Sequence, residues 1–145
     1  MEILQVLKQE HKEVAKMLKE LLQTTDRAKK TREQIFFKLN HSLTIHANFE
    51  EKFFYPELKQ SAQTKGMILE AYEEHHILKI LLDELQNLSV TDETWSAKLK
   101  VLKENVSHHV KEEEKELFPK AKTLLDTSRL KALAQQYQAF KEKSD

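Results

Sequence analysis

HANFEEKFFYP, at residues 46–56, decides the fold of this chain, because the same pattern returns as HVKEEEKELFP at residues 109–119. Both stretches carry His-x-x-x-Glu, followed by an aromatic residue and a proline. A lone histidine precedes each of them, His11 in the first half and His75 in the second, and the offsets are 63 or 64 residues. We therefore predict a single domain at 1–145, internally duplicated as approximately 1–62 and 63–125, with a C-terminal helix at 126–145.

The rest of the chain has the composition of a helical bundle. It holds one glycine and two prolines in 145 residues, and apolar residues recur at helical spacings of three and four. These patterns predict four long helices at about 2–23, 31–55, 67–88 and 94–118, and a short last helix at about 128–141. Short connections between long helices favour an all-α, antiparallel up-down-up-down four-helix bundle. We expect the short helix to pack across one end of it.

Charge and cysteine content exclude several classes of function. Lysine plus arginine and aspartate plus glutamate both number 24, so the formal net charge is zero. This balance gives no electrostatic reason to expect binding to nucleic acid or to an anionic membrane. The absence of cysteine removes disulfides, thiolate metal sites and cysteine nucleophiles. With no leader-like or membrane-spanning run, we expect a soluble cytoplasmic protein.

The duplicated histidines and glutamates fall on the inner faces of the predicted helices, where apolar residues are expected. Burying an unpaired charge costs several kcal/mol or more, so buried charges are paired or bind metal. Positions i and i+4 share one helix face, so each His-x-x-x-Glu pair can reach the same ion or a close pair of ions. Nitrogen and oxygen ligands without sulfur suit iron, manganese or zinc. We predict a site for two metal ions formed by six residues: His11, His46, Glu50, His75, His109 and Glu113.

Other residues near these positions have less support as ligands. Glu51 and Glu114 adjoin the two predicted ligand glutamates, and we expect them to be solvated or to support the site from outside. Among the aromatic residues, Tyr72, one turn before His75, is the first candidate to reach the site, although packing is the more frequent role. The others are expected mainly to pack in the core, with some of them forming walls of the metal pocket: Phe49, Phe53, Phe54, Tyr55 and Phe118. The remaining histidines and acidic neighbours are expected to point sideways or into solvent: Glu10, His41, Glu74, His76 and His108.

These motifs resemble the hemerythrin-like family with its HHE cation-binding domain, over almost the whole chain from His11 to Pro119. The resemblance implies a non-haem di-iron centre inside a four-helix bundle, with Glu50 and Glu113 bridging the irons. The four histidines would be terminal ligands, and an open coordination position would take dioxygen, nitric oxide or peroxide. The oxygen carriers of the family have a second histidine on the third helix where this chain has Lys79, and aspartate where it has Glu114. Reversible oxygen transport is therefore not the favoured function.

Three functions remain open on this evidence. The favoured one is a metal-binding protein that binds or senses dioxygen, nitric oxide or iron. The second is a di-iron enzyme that consumes peroxide or nitric oxide. The third, a structural bundle that only binds partners through its helix faces, leaves the six buried polar residues without a purpose. The protein partner and oligomeric state are not predicted.

Overall fold

The computed structural model describes residues 1–144, and every regular element in this range is helical. Asp145, the last residue of the predicted domain, lies outside the described residues. No helix of the described chain has the length and apolar character needed to cross a membrane. The elements are α1 (Ile3–Leu22), α2 (Lys29–Phe49), π1 (Glu50–Phe54), α3 (Tyr55–Lys59), α4 (Lys65–Gln86), α5 (Trp95–Glu112), π2 (Glu113–Leu117), α6 (Phe118–Leu124) and α7 (Thr127–Ser144).

The first helix begins where local chemistry favours it. Glu2 caps α1: its carboxylate accepts from the Gln5 backbone N–H at 2.7 Å, and the Gln5 side chain accepts from the Glu2 N–H at 3.1 Å. This reciprocal arrangement satisfies two backbone donors that a helix start leaves unpaired. Pro56 and Pro119 lie in the first turns of α3 and α6, which continue directly from π1 and π2. Neither proline has a backbone N–H to donate to the helix.

Two apolar clusters hold the helices together. Along α1 the chain runs from the first cluster (Ile3, Leu4, Leu7) into the second (Val14, Leu18, Leu21). Successive long helices pass through the two clusters in alternating order, as α2 goes from the second cluster to the first and α4 from the first to the second. The apolar inner faces predicted from the sequence are thus confirmed as buried, and the predicted metal ligands lie between the two clusters.

The last helix packs on the first apolar cluster. Its main contacts are with α1 and α2. Leu130, Leu133 and Tyr137 of α7 are buried in the first cluster, and Tyr137 stacks on Phe49 with ring centroids 4.3 Å apart. The apolar outward residues of α2 provide this contact surface, a feature that inner-face periodicity does not reveal.

Candidate metal centre

All six predicted ligands come together in two groups. His11, His46 and Glu113 form one group, and Glu50, His75 and His109 form the other. In each group the candidate ligand atoms lie within 4.8 Å of one another. Each group draws on residues far apart in sequence, so the arrangement is a product of the tertiary fold.

Both glutamates occupy the first position of a π-helical segment, which the sequence analysis did not predict. Glu50 begins π1 and Glu113 begins π2, and the backbone N–H of Tyr55 bonds to the carbonyl of Glu50, five residues earlier. Short π segments inside α-helices often occur at functional sites. The wider turn changes which residues face inward. Phe53 is only partly buried, whereas Phe54 and Tyr55 are fully buried.

Burial leaves polar atoms of the site without partners. Glu50 is 0 % exposed and Glu113 is 3 % exposed. Four buried side-chain polar atoms of the described residues lack a hydrogen-bond partner, and three of them belong to the site: His11 Nε2, Glu50 Oε2 and Glu113 Oε1. Such atoms cost free energy unless something satisfies them. A cation fits this need, and the nitrogen and oxygen donors are of the type that iron, manganese and zinc accept.

Each of the four candidate ligand histidines contacts another glutamate on the outer side of the site. The Nδ1 atom of His11 contacts Glu114 at 2.6 Å, and that of His75 contacts Glu51 at 3.1 Å. By the same internal symmetry, Nδ1 of His46 contacts Glu10 at 2.8 Å and Nδ1 of His109 contacts Glu74 at 2.6 Å. A carboxylate on Nδ1 fixes the ring and turns Nε2 toward the centre, as is usual for metal-binding histidines.

This arrangement corrects one expectation and refines another. Glu10 and Glu74 were expected to be solvated, but both are partly buried and bonded to histidines. Glu51 and Glu114 do support the site from outside. The signal in the sequence was the repetition of a glutamate before His11 and His75 and after Glu50 and Glu113. Helix rotation decides which histidine each one meets, and this required the structure.

Tyr55, rather than Tyr72, is the tyrosine that reaches the site. Its hydroxyl donates to Glu113 at 2.5 Å and lies 3.2 Å from Glu50 Oε1 and 3.4 Å from Nε2 of both His75 and His109. Tyr72 instead donates to the Glu51 carbonyl at 3.5 Å. Tyr72, the first aromatic candidate from the sequence, thus contacts a neighbour of the site and not the predicted ligands. An α-helix would put Tyr55 about 140° from Glu50, and the π turn is what brings it inward.

The strong charges of the site shift one another's pKa values. Burial by itself would lower the pKa of His46, but Glu50 and Glu10 outweigh it and raise that pKa to about 10. Burial likewise opposes charge on Glu113, yet His109 and His11 hold its pKa well below the usual value. The neighbouring glutamates therefore favour the protonated form of His46. A cation that binds there must displace that proton, because only neutral histidines ligate.

The other histidines lie outside this centre. His41 and His76 are exposed, as predicted. His108 is also exposed, but its Nε2 lies 3.2 Å from Glu112 and 3.8 Å from Glu74. Glu74, His108 and Glu112 form a third, half-exposed group, and their candidate ligand atoms also lie within 4.8 Å of one another.

The fold and the paired histidine–glutamate groups define a helical cation-binding domain, and comparison with known proteins agrees. A family model for the hemerythrin HHE cation-binding domain matches residues 2–121, and the chain belongs to that family. The family resemblance inferred from the motifs is thus confirmed. Membership of this family implies metal binding, typically of iron. The histidine and glutamate groups described above could hold a metal.

A solved structure and a curated relative are also similar. The crystal structure of a hemerythrin HHE cation-binding domain-containing protein from Mycobacterium kansasii superposes with a TM-score of 0.85, at 21% identity, covering 99% of this chain and 87% of that one. It supports the fold alone. A DNA nickase from Nostoc sp. strain PCC 7120 is 29% identical over 143 residues, which is 99% of this chain. The chain spans 40% of the length of that relative.

Proposed function

We propose that this chain is a non-haem di-iron protein of the hemerythrin-like family that binds or senses dioxygen, nitric oxide or iron. One ion would be held by His11, His46 and Glu113, and the other by Glu50, His75 and His109. The observation that carries the proposal is the convergence of the six imidazole and carboxylate side chains in two groups in the interior, with Glu50 Oε2, His11 Nε2 and Glu113 Oε1 buried there without a hydrogen bond. Manganese and zinc would be accepted by the same donors.

The positions of the two glutamates support bridging roles. Glu50 Oε1 lies 3.4 Å from Nε2 of His46 and 3.3 Å from Nε2 of His75, one histidine from each group. Glu113 likewise reaches His11 at 3.2 Å and, with its other oxygen, His109 at 3.4 Å. A carboxylate placed between two sets of histidines can bind two neighbouring cations at once, and this favours a pair of ions over a single one.

A small apolar cavity adjoins the four histidines. Its volume is about 30 Å³, and its walls include Val14, Leu43, Leu78 and Val106. Roughly 10–15 Å³ of this kind of volume holds one water, and pockets for organic molecules are on the order of 300–1,000 Å³. The cavity therefore suits a diatomic molecule or peroxide. A bound iron with an open coordination position would supply the binding and redox chemistry for such a ligand.

Lys79 supports a sensing or binding role over reversible oxygen transport. It stands where the oxygen carriers have an additional histidine, and its ammonium group pairs with Glu51 at 2.8 Å. Glu51 in turn bonds to His75. Lys79 thus contributes a charge outside the centre and no ligand. The ion proposed beside His75 and His109 therefore has fewer nitrogen donors than the corresponding ion in the oxygen carriers.

The architecture that we propose for this site is the antiparallel up-down-up-down bundle. The alternating order in which successive helices pass through the two apolar clusters supports it. The duplication boundaries near residues 62 and 125 and a cytoplasmic location also remain predictions.

Metal analysis of purified protein tests the proposal. We expect about two irons per chain, as in other bundles with a di-iron centre, and a diferric absorption spectrum that changes when nitric oxide is added. Matched measurements on a Glu50→Gln/Glu113→Gln variant serve as the control and should show loss of iron. A wild-type protein that neither contains iron nor takes it up would contradict the proposal.

A di-iron enzyme that consumes peroxide or nitric oxide is the second candidate. The cavity beside the histidines also fits these substrates, and the Tyr55 hydroxyl beside both glutamates provides a proton donor within the centre. Repeated turnover of peroxide or nitric oxide by the iron-loaded protein would favour this function. A single stoichiometric reaction without turnover would favour binding or sensing.

We propose that the chain acts without nucleic acid, despite its similarity to part of a DNA nickase. The formal net charge of zero supports this, because DNA binding depends on an excess of cationic side chains on one face. Incubation of the iron-loaded protein with supercoiled plasmid provides the test. Nicking that Glu50→Gln/Glu113→Gln abolishes would overturn this part of the proposal.

A further inference from the structure

The two halves of the duplication differ on their outer surfaces, beside the equivalent glutamates Glu10 and Glu74. Beside Glu10, α7 closes the surface: the Tyr137 hydroxyl donates to Glu10 at 2.5 Å, and Lys141 lies 3.3 Å from its other oxygen. Phe49 packs beneath Tyr137. No part of α7 has corresponding main contacts with α4 or α5, so the equivalent surface beside Glu74 is not closed in this way.

At this second surface, residues with potential ligand atoms occupy positions that are apolar in the first half of the chain. His108 stands 63 residues after Ile45, Glu112 after Phe49 and Glu116 after Phe53. Glu70 stands 64 residues after Val6. The four positions of the first half are all buried or packed against the first apolar cluster. Where one half buries hydrocarbon, the other therefore presents three carboxylates and an imidazole.

A cleft of about 70 Å³ runs along this second surface. Glu70, Glu74, Glu112 and Glu116 line it, together with His109 and Glu113 of the proposed metal centre. Glu113 is 3 % exposed, and its Oε1 has no hydrogen-bond partner. The cleft thus leads from exposed carboxylates to a buried carboxylate of the centre, one oxygen of which makes no hydrogen bond.

We propose that this cleft, which we call the acidic port, is the path by which divalent cations reach the centre, with His108, Glu112 and Glu74 as a first binding point. The proposal rests on the proposed function. Glu74 connects the two sites, because one of its oxygens lies 3.8 Å from His108 and the other bonds to His109 at 2.6 Å. A cation held by Glu74 is therefore one side chain away from a ligand of the centre.

Electrostatics gives the port its expected effect. A cleft lined by charges of one sign concentrates ions of the opposite sign and accelerates their association. Imidazole and carboxylate groups are suitable ligands for ferrous iron, and no soft thiolate ligand is required. The port should therefore change how fast iron arrives and should leave unchanged how much iron the centre finally holds.

Stopped-flow uptake of Fe²⁺ by the metal-free protein, under anaerobic conditions, tests the port. Uptake is followed with a chromogenic chelator that reports how much free iron remains in solution. The port variant Glu70→Gln/His108→Gln/Glu112→Gln spares all six proposed ligands and Glu74. We expect it to load roughly tenfold more slowly than wild type at low ionic strength, to reach the same final iron content, and to lose the difference in high salt.

A matched control changes the same residue types on the same helices outside the cleft. Glu73→Gln/His76→Gln/Glu104→Gln alters net charge equally at exposed positions and should load at the wild-type rate. Equal rates for the port variant and wild type, or equal slowing in the control, would overturn the port while leaving the metal centre intact. A wild-type protein that takes up no iron would contradict the proposed function and the port together. If the triple variant does not fold, Glu112→Gln alone carries the same comparison.

Discussion

Glu113→Gln should remove most of the stabilisation that metal gives to this protein. Glu113 is buried, and its two oxygens face His11 in one group and His109 in the other. The substitution keeps the shape of the side chain but removes the negative charge placed between the two proposed ions. Metal binding should then be weaker at both positions.

The size of the effect follows from linkage. Free metal at a thousandfold excess over its dissociation constant stabilises the folded state by about 4 kcal/mol per ion. Two ions would give about 8 kcal/mol, or a rise in melting temperature of roughly 20 °C for a domain of this size. We expect Glu113→Gln to keep less than half of this rise.

Differential scanning calorimetry with and without anaerobic Fe²⁺ measures the rise separately for each protein. Comparing each protein with its own metal-free form matters, because the substitution also removes the counter-charge of two buried histidines. Glu104→Gln, an exposed position on α5, is the control and should show the wild-type rise. An undiminished rise in Glu113→Gln would refute the bridging role.

Three further perturbations test other parts of the structure. The metal-free protein should lose stability as pH rises from 7 to 10. His46 has a pKa raised to about 10 in the folded protein, so its protonation stabilises the fold fully below about pH 6.5, and this stabilisation is lost as the pH rises to the folded-state pKa. Calorimetry of the iron-loaded form should show no such loss. Tyr55→Phe removes the donor to Glu113 and should destabilise the metal-free protein by about 2 kcal/mol in urea titration, whereas an unchanged unfolding midpoint would contradict the bond. Arg32→Met removes a buried cation that lies over Trp95 and donates to Thr24; it should cost about 2–4 kcal/mol and leave iron content unchanged.

The convergence of the six candidate ligands was predictable from the sequence because they interrupt a regular apolar pattern twice. His11 and His75 interrupt apolar inner faces at equivalent positions, and a buried imidazole or carboxylate without a partner is unfavourable. The second copy turned a weak motif into a specific one. The helical fold class was predictable because the apolar residues on both sides of these positions recur at regular helical spacing.

The parts that were missed depend on local departures from the α-helix and on helix rotation. Tyr55 reaches the centre only because π1 widens the helix after Glu50, and periodicity that assumes a regular helix misplaces it. The pairing of Glu74 with His109 depends on how α4 is rotated against α5. The position of α7 depends on apolar residues on the outward side of α2, which inner-face patterns leave out.

Anomalous diffraction at the iron absorption edge, from crystals of the iron-loaded protein, tests the central claim most directly. We expect two peaks, one beside His11 and His46 and the other beside His75 and His109, with the carboxylates of Glu50 and Glu113 between them. Iron found away from these side chains, or a centre whose histidines and glutamates contact no iron, would contradict the account.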